Sequence, residues 1–342
     1  MTSHTVHSSS FSLPVGLKVA KFSAGINWPA YEIVVNDPPT DFENWHISTG
    51  KPPDVAQLAM AFLIGGGTLV DAGANIGFVS IPAARAGSRV ISVEPDIKNC
   101  LKITLGAAIN NCKNLELCQA ALTDIDGIVA FSGEEAWGHI SNTEQVRPVM
   151  ALKFDTLMMR NFSKQEKGPA SPLVIKIDVE GHESLVLRGA SATLKALRPV
   201  IIFESIEIEG QVIRDELRPK SILEKYNYSL YLIRDEVLVP SSSKALQEGH
   251  VSDFLAVPDE RSNLLDSIDW QVRTLTGEES IAWIQEMADF PMVNHHRHAV
   301  GVLKRWALER RMNMALVRPV IETLLSKNDV ADSHRDLKEL LS

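Results

Sequence analysis

The sequence predicts an α/β fold, a doubly wound and mostly parallel sheet followed by a helical C-terminal extension. Two observations carry this. From residue 68 to about residue 258, short apolar runs alternate with segments of helical periodicity. That is the pattern of parallel strands joined by crossover helices. Beyond residue 262 the alternation stops and helical spacing alone remains. The chain has 342 residues, 45% hydrophobic and 23% charged, enough for one large domain with an appendage and an ordinary buried core. It divides into an N-terminal segment over 1–50, an α/β domain over 51–260 and a helical extension over 261–342.

Residues 1–25 are rich in Ser, Thr and His and are expected to be poorly ordered. Tyr31-Glu-Ile-Val-Val35 reads as an edge strand, and Asn36-Asp-Pro-Pro-Thr40 as a turn. Residues 54–64 form a helix, with Asp54 as its cap and Val55, Leu58, Ala59 and Phe62 at helical spacing. Gly65-Gly-Gly67 ends it. Thr68-Leu-Val70 is a strand. Phe78 to Ala86 is a helix with Pro82 in its first turn, where proline is tolerated. Strand Arg89–Val93, helix Ile97–Ala108 and strand Leu115–Ala121 follow, then a further strand over Ile128–Phe131. Residues 132–172 lack periodicity and read as a long loop over the site. Leu173-Val-Ile-Lys-Ile177 is a strand of fully buried type. Glu183–Leu197 is a helix, Pro199–Phe203 a strand, and Tyr228–Ile233 and Phe254–Val257 are the final strands. In the tail, Val300, Leu303 and Ala307 share one helical face, and Leu316 shares another with Val320.

Composition excludes several classes of function. A net charge of −9 does not suit a nucleic-acid binder, which presents a basic face. Cys100, Cys112 and Cys118 are too few and too irregularly spaced for a disulfide framework or a metal site, and fit a reducing compartment. The N-terminus lacks the apolar core of a signal peptide, and no stretch approaches the ~20 apolar residues that span a bilayer. A cytoplasmic protein with no membrane partner is expected.

The chemistry-bearing residues cluster at predicted strand ends, where open α/β sheets bind ligands. Asp71-Ala-Gly-Ala-Asn-Ile-Gly77 joins a strand to a helix. Gly73 lets the backbone turn tightly and Gly77 lets the helix pack close. The G-x-G-x-x-G spacing that seats a pyrophosphate is absent, and Asp71 would repel a phosphate. It suits a cationic ligand instead. Glu94, in Val93-Glu-Pro-Asp96 at the next strand end, is placed to accept hydrogen bonds from a ribose diol. Ala121 and Asp124, in Ala120-Ala-Leu-Thr-Asp124, can meet an adenine edge or simply cap the strand. Lys176-Ile-Asp-Val-Glu-Gly-His-Glu183 brings Asp178, Glu180, His182 and Glu183 to one strand end. Glu183 also suits the N-terminus of a helix on structural grounds.

From Thr68 to about Ser205 these pieces, in this order and spacing, resemble the FkbM-type methyltransferase family. The segments that match are Val70-Asp-Ala-Gly-Ala-Asn-Ile-Gly77, Val93-Glu-Pro-Asp96, Ala120-Ala-Leu-Thr-Asp124, Lys176–Glu183 with Leu187-Arg-Gly-Ala190, and Pro199-Val-Ile-Ile-Phe-Glu204. The Lys176–Glu183 run is the specific one. The resemblance implies a seven-stranded, Rossmann-like sheet over 51–260, S-adenosylmethionine as donor and a hydroxyl oxygen of a sugar or secondary metabolite as acceptor. It implies a donor site of Asp71, Gly73, Asn75, Gly77, Glu94, Pro95, Ala121, Asp124 and Asp178. The N-terminal segment and the tail lie outside the match.

An alcohol needs a base or a metal as it loses its proton. His182 is the first candidate for that base, oriented by Asp178 or Glu183. Glu180 and Asp178 are alternatives, and a cation held by Asp178 and Glu204 is the runner-up. Two rival functions remain on the sequence: a nicotinamide-dependent oxidoreductase, disfavoured by Asp71 and the missing glycine spacing, and a degenerate fold kept as a binding module. His295-His-Arg-His298 is too tightly spaced to share a helix face and reads as a solvated segment, as does the run Arg305, Arg310, Arg311. Trp137, Gly138 and His139 can line an acceptor pocket or pack. The helical tail offers a surface for a homo-oligomer.

Overall fold

A computed structural model describes residues 12–132, 139–140, 146–162, 172–206, 218–234, 236–241, 251–289, 296, 299–300, 303–304 and 314–341. The expectations for Trp137, Gly138, His295, His298, Arg305, Ala307, Arg310, Arg311 and the side chain of His139 lie outside these residues.

The chain opens with strands β1 (Leu17–Phe22) and β2 (Tyr31–Asn36), then helices α1 (Asp41–Thr49) and α2 (Asp54–Phe62). Next come β3 (Thr68–Ala72), α3 (Ser80–Arg85), β4 (Arg89–Val93), α4 (Ile97–Ile109) and β5 (Leu115–Cys118). A second sheet is formed by β6 (Ala121–Thr123), β7 (Gly127–Ser132), β8 (His139–Ile140) and β9 (Arg147–Lys153). Helix α5 (Phe154–Asn161), β10 (Leu173–Ile177), α6 (Glu183–Gly189), α7 (Ser191–Ala196), β11 (Val200–Ile206) and α8 (Pro219–Lys225) follow. The rest comprises β12 (Tyr228–Arg234), β13 (Val237–Ser241), β14 (Val251–Pro258), β15 (Gln271–Val272), and helices α9 (Gly277–Asp289), α10 (Met314–Leu325) and α11 (His334–Leu341).

The main sheet runs β15-β13-β12-β14-β11-β10-β3-β4-β5. Strands β5, β4, β3, β10 and β11 are parallel. The pairings β11–β14, β14–β12 and β12–β13 are antiparallel. Alternate residues of the parallel strands feed two apolar layers. Val70, Ile91, Ile175 and Phe203 pack with residues of α5, α6, α7 and α8. Leu69, Val90, Val174 and Ile202 pack with α2 and α3 on the other side. Every residue of β3 and of β10 is buried, as strands covered on both faces must be.

Among the described residues the sheet has nine strands, not the seven expected. β12 turns back on itself through Glu236, at φ 62°, to pair with β13, and two residues of β15 then extend that edge. The run Leu115–Ala121 is not one strand either. The chain leaves the main sheet after Cys118 and enters the second sheet at Ala121.

Part of the stretch expected as loop is structured. β9 pairs with β6 and β7, although Pro148 and a weak alternation hide it in the sequence. α5 follows it directly. The expected helix over 183–197 is two helices. It breaks at Ala190 and restarts where the Asp155 carboxylate of α5 accepts from the Ala192 amide at 2.8 Å and the Thr193 amide at 2.9 Å, an N-cap supplied from another element.

Residues 17–22, expected to be poorly ordered, form β1. Tyr31–Val35 is not an edge of the main sheet, because among the described residues β2 pairs with β1 alone. Ala20, Phe22, Tyr31, Ile33 and Val35 bury themselves against Ile76, Phe78 and Ile81, which orders the segment. Asp54 opens α2 as its first residue, and Pro53 occupies the cap position. In the tail, Ile284, Val300, Leu303, Val317, Val320, Ile321, Leu324 and Leu337 share a separate core. Leu316 is 40% exposed, so Val317 and not Leu316 shares the buried face with Val320. β15 and a 3₁₀ turn over Asp259–Ser267 interrupt the expected helical run. Among the described residues, no helix is long and apolar enough to cross a membrane.

Candidate active site

The carboxyl ends of β3, β4 and β10 meet around the glycine turn. Gly73 has φ 76°, and a Cβ placed there would lie 1.8 Å from the Asp178 carbonyl oxygen. Only glycine fits that approach. The amides of Gly73 and Ala74 both donate to the Val93 carbonyl at 3.0 Å, which binds the turn to the end of β4. Asn75, at φ 50°, donates its amide to Glu94 Oε2 at 2.8 Å. Gly77, at φ 97°, would bring a Cβ to 3.0 Å of Ile81, so it sets how closely α3 packs.

Glu94 is 5% exposed. Its Oε1 accepts from the Asp96 amide at 2.9 Å and from Asn99 Nδ2 at 3.4 Å. Burial pushes its pKa up to about 7 despite these donors. Pro95 is half-buried beside it. Asp96 caps α4 through the amides of Lys98 and Asn99, and Arg147 of β9 pairs with its other oxygen. The second sheet is thereby tied to the Glu94 end of the site.

Asp71 is fully buried. Direct contact with a cationic ligand was expected of it, but its side chain turns inward. Ser80 Oγ donates to it at 2.6 Å, and Lys176 Nζ lies 3.4 Å away. Lys176 also donates to the Gly73 carbonyl at 2.7 Å and pairs with Asp178 at 3.2 Å. The two carboxylates hold the Lys176 ammonium protonated, well above the usual lysine range. Burial pushes Asp71 up against that attraction. Asp71 therefore supports the turn through Lys176.

The loop after β10 is shaped by Glu183. This residue is 2% exposed and accepts from the amides of Val179 at 3.1 Å and Gly181 at 3.0 Å. Burial raises it to about 7. Its carboxylate serves the loop backbone. The His182 carbonyl accepts from Leu185 at 2.9 Å and Val186 at 3.1 Å, starting α6, and its side chain is half-buried. Glu180 sits at φ 54°. Burial and the charges of Asp178 and Glu183 push it up to about 8. One oxygen each of Asp178, Glu180 and Glu204 lies within 4.8 Å of the others. Glu204, on β11, has a buried Oε2 with no hydrogen bond. Burial and its acidic neighbours raise its pKa strongly. Asp253 on β14, directly across from Glu204, is raised to about 6 by burial.

Ala121 and Asp124 stand on or beside β6. Asp124 pairs with Arg188 of α6 at 3.1 Å. Next to it Gly189 admits no side chain, since a Cβ would meet the Thr123 carbonyl at 2.2 Å. Asp124 thus helps dock α6 on β6, which favours its structural reading. Lys176, Asp253, Ser80 and α1 enter the site only through the fold. The signal for α1 was readable: Thr40 and Glu43 are spaced as a capping box, and both its hydrogen bonds form.

A glycine turn after the first parallel strand, a buried acid at the tip of the second and an acidic loop after the fourth define a class, the α/β methyltransferases. Residues 71–230 match the methyltransferase FkbM domain, so the chain carries that domain, as its motifs suggested. Among solved structures, the chain is similar to a methyltransferase FkbM from Methylobacillus flagellatus KT, with 14% identity and a TM-score of 0.35. That alignment covers 56% of this chain and 43% of the other. It is also similar to a 16S rRNA N2 methyltransferase of T. thermophilus, solved with AdoMet and guanosine, at 16% identity and a TM-score of 0.37, covering 72% and 52%. A precorrin-6y methyltransferase from Geobacter metallireducens GS-15 aligns at 14% identity and a TM-score of 0.32, covering 57% and 81%. No curated protein matches the chain.

Proposed function

We propose that this chain transfers a methyl group from S-adenosylmethionine to a hydroxyl oxygen of a small molecule or sugar. The observation that carries the donor assignment is Glu94. A buried carboxylate at the tip of β4, bonded to the amide of Asn75 in the glycine turn, is built to accept from a ribose diol. Its oxygens retain acceptor capacity beyond the protein donors they hold. When bound, S-adenosylmethionine supplies an electrophilic methyl group on a positively charged sulfur and leaves as neutral S-adenosylhomocysteine. Asp178, held by Lys176, is the carboxylate we place toward that positive end.

Glu180 takes up the proton of the acceptor hydroxyl in this reading. Its pKa of about 8 lies near working pH, where a general base is most effective. His182 is the second choice. A rate that rises with pH toward about 8, lost in Glu180→Gln and kept in His182→Ala, is the expected pattern. A Glu180→Gln enzyme at full rate would remove Glu180 from the mechanism. The cluster of Asp178, Glu180 and Glu204 favours one other route, a divalent cation acidifying the hydroxyl. Chelation separates the two, since turnover through Glu180 survives it.

Calorimetric titration tests the donor. S-adenosylmethionine should bind, NAD should not, and Glu94→Ala should weaken binding by ~10-fold or more, the scale of a lost charged hydrogen bond. Absence of S-adenosylmethionine binding would sink the proposal and favour a degenerate binding module. Labelled-methyl transfer to fractionated metabolites then identifies the acceptor.

A further inference from the structure

The second sheet reaches the site through one side chain that no step above uses. Arg147, the first residue of β9, stands directly across from Phe131 of β7. Its guanidinium lies over that ring, 5.2 Å from the centroid. Phe131 is 3% exposed, so the ring is fixed in the core of its sheet and holds the guanidinium by a cation–π contact. From there Arg147 pairs with one oxygen of Asp96, whose side chain is wholly buried. The other Asp96 oxygen accepts from the amides of Lys98 at 2.7 Å and Asn99 at 3.1 Å, which caps α4.

Asp96 matters because of what stands beside it. Its amide donates to Glu94 Oε1 at 2.9 Å, and Asn99 Nδ2, in the turn that Asp96 caps, donates to the same oxygen at 3.4 Å. The placement of this first turn of α4 therefore decides how Glu94 presents its oxygens. Asp96 also acts by charge. Burial is the chief cause that raises Glu94 to about 7, and the Asp96 charge adds to it. A buried carboxylate that loses its cation is left strongly unfavourable, and a like charge disfavours ionisation of its neighbour. Arg147 offsets both effects.

We propose that Arg147 is a positioning residue of the donor site: by neutralising Asp96 and fixing the first turn of α4, it holds Glu94 ready to accept from the ribose 2′-hydroxyl. This rests on the donor reading above. The experiment measures affinity at neutral pH for two probes, S-adenosylhomocysteine and its 2′-deoxy analogue, which differ only in that hydroxyl. Arg147→Met keeps an unbranched side chain and removes the charge, and Arg147→Gln serves as a second neutral replacement. Each should reduce the preference for the hydroxylated probe by about fivefold, the scale of one hydrogen bond. Adding Asp96→Asn to Arg147→Met should restore the preference, because asparagine still caps the helix and carries no buried charge. An arginine that only held the second sheet in place would weaken both probes alike, and Asp96→Asn would not rescue it. Equal weakening of the two probes, no recovery in the double variant, or failure of both neutral variants to fold would assign Arg147 a purely structural role and overturn the proposal. If the wild-type chain binds neither probe, or binds the two equally, the donor reading of Glu94 itself has failed.

Discussion

At Gly73 the backbone is at φ 76°, close enough to the Asp178 carbonyl that a methyl group would stand 1.8 Å from it. Two costs coincide for any side chain there, a left-handed backbone and a steric overlap with main chain that cannot swing away. Gly73→Ala should destabilise the protein by about 3 kcal/mol or more, read from urea unfolding. It should also weaken donor binding, because the Asn75 amide that meets Glu94 lies two residues on. Ala at 73 with unchanged stability would mean that the β3 and β10 loops do not approach so closely. Gly87, by contrast, meets nothing within 4 Å, and its replacement tests backbone strain alone. Asp71 shows how a residue readable in the sequence can take a different task in the fold. Its place at a strand end was legible, but its direction was not. Lys176, a hundred residues later, turns it inward, and that pairing depends on β10 lying beside β3 in register.

Helix α1 is secured by the buried Glu43–Lys102 pair. Breaking such a pair from one side leaves an uncompensated charge. Lys102→Met should therefore cost about 3 kcal/mol and raise amide exchange over residues 41–49. Adding Glu43→Gln should recover part of the loss, because the amide no longer carries a buried charge. Unchanged exchange in Lys102→Met would show that aromatic packing alone holds α1. The elements differ in how well the sequence announced them. The parallel strands β3, β4, β10 and β11 were legible because burial on both faces demands unbroken apolar runs. α2, α3 and α4 declared themselves through periodicity and punctuation. β9 did not, since only Ala151 and Leu152 of its seven residues are buried. The break between α6 and α7 was also invisible, because its cap, Asp155, comes from a different helix. The site followed the same rule. Glu94, Gly73 and the Lys176–Glu183 loop are contiguous motifs and could be read. The meeting of Glu180 with Glu204, and of α1 with the glycine turn, is made by long-range packing that no local pattern encodes.

Across the whole molecule, the site gathers carboxyl groups that burial holds protonated longer than in the unfolded chain. Glu94 and Glu183 rise to about 7, Glu180 to about 8 and Asp253 to about 6, whereas an unfolded carboxyl titrates near ~4. Between those values the folded chain binds more protons than the unfolded one, so stability falls as pH rises. The folded state is favoured in full below about pH 4 by these groups, and that advantage is lost as pH passes through 6 to 8. His46 acts in the opposite sense. Its pKa, lowered to about 4, makes the unfolded chain the better proton binder between there and about 6.5, the unperturbed histidine value, so stability falls on acidification through that window. Four carboxyl groups outweigh the one histidine across that window, so net stability falls from about pH 4 upward. After discounting the partly exposed Glu180 for solvent screening, a decrease of about 3 kcal/mol from pH 6 to pH 8 is expected, measured by urea unfolding at constant ionic strength. Glu94→Gln and Glu183→Gln should each flatten the curve, Glu94→Gln while also weakening the donor. A cationic donor seated beside these carboxylates favours their ionised forms, so S-adenosylmethionine should stabilise the protein more at pH 8 than at pH 6, and S-adenosylhomocysteine should show less of that difference. Stability that is flat or rising over this interval would mean that the acidic loop is open to water, and the site would lose the charge pattern that suits it to a positively charged donor.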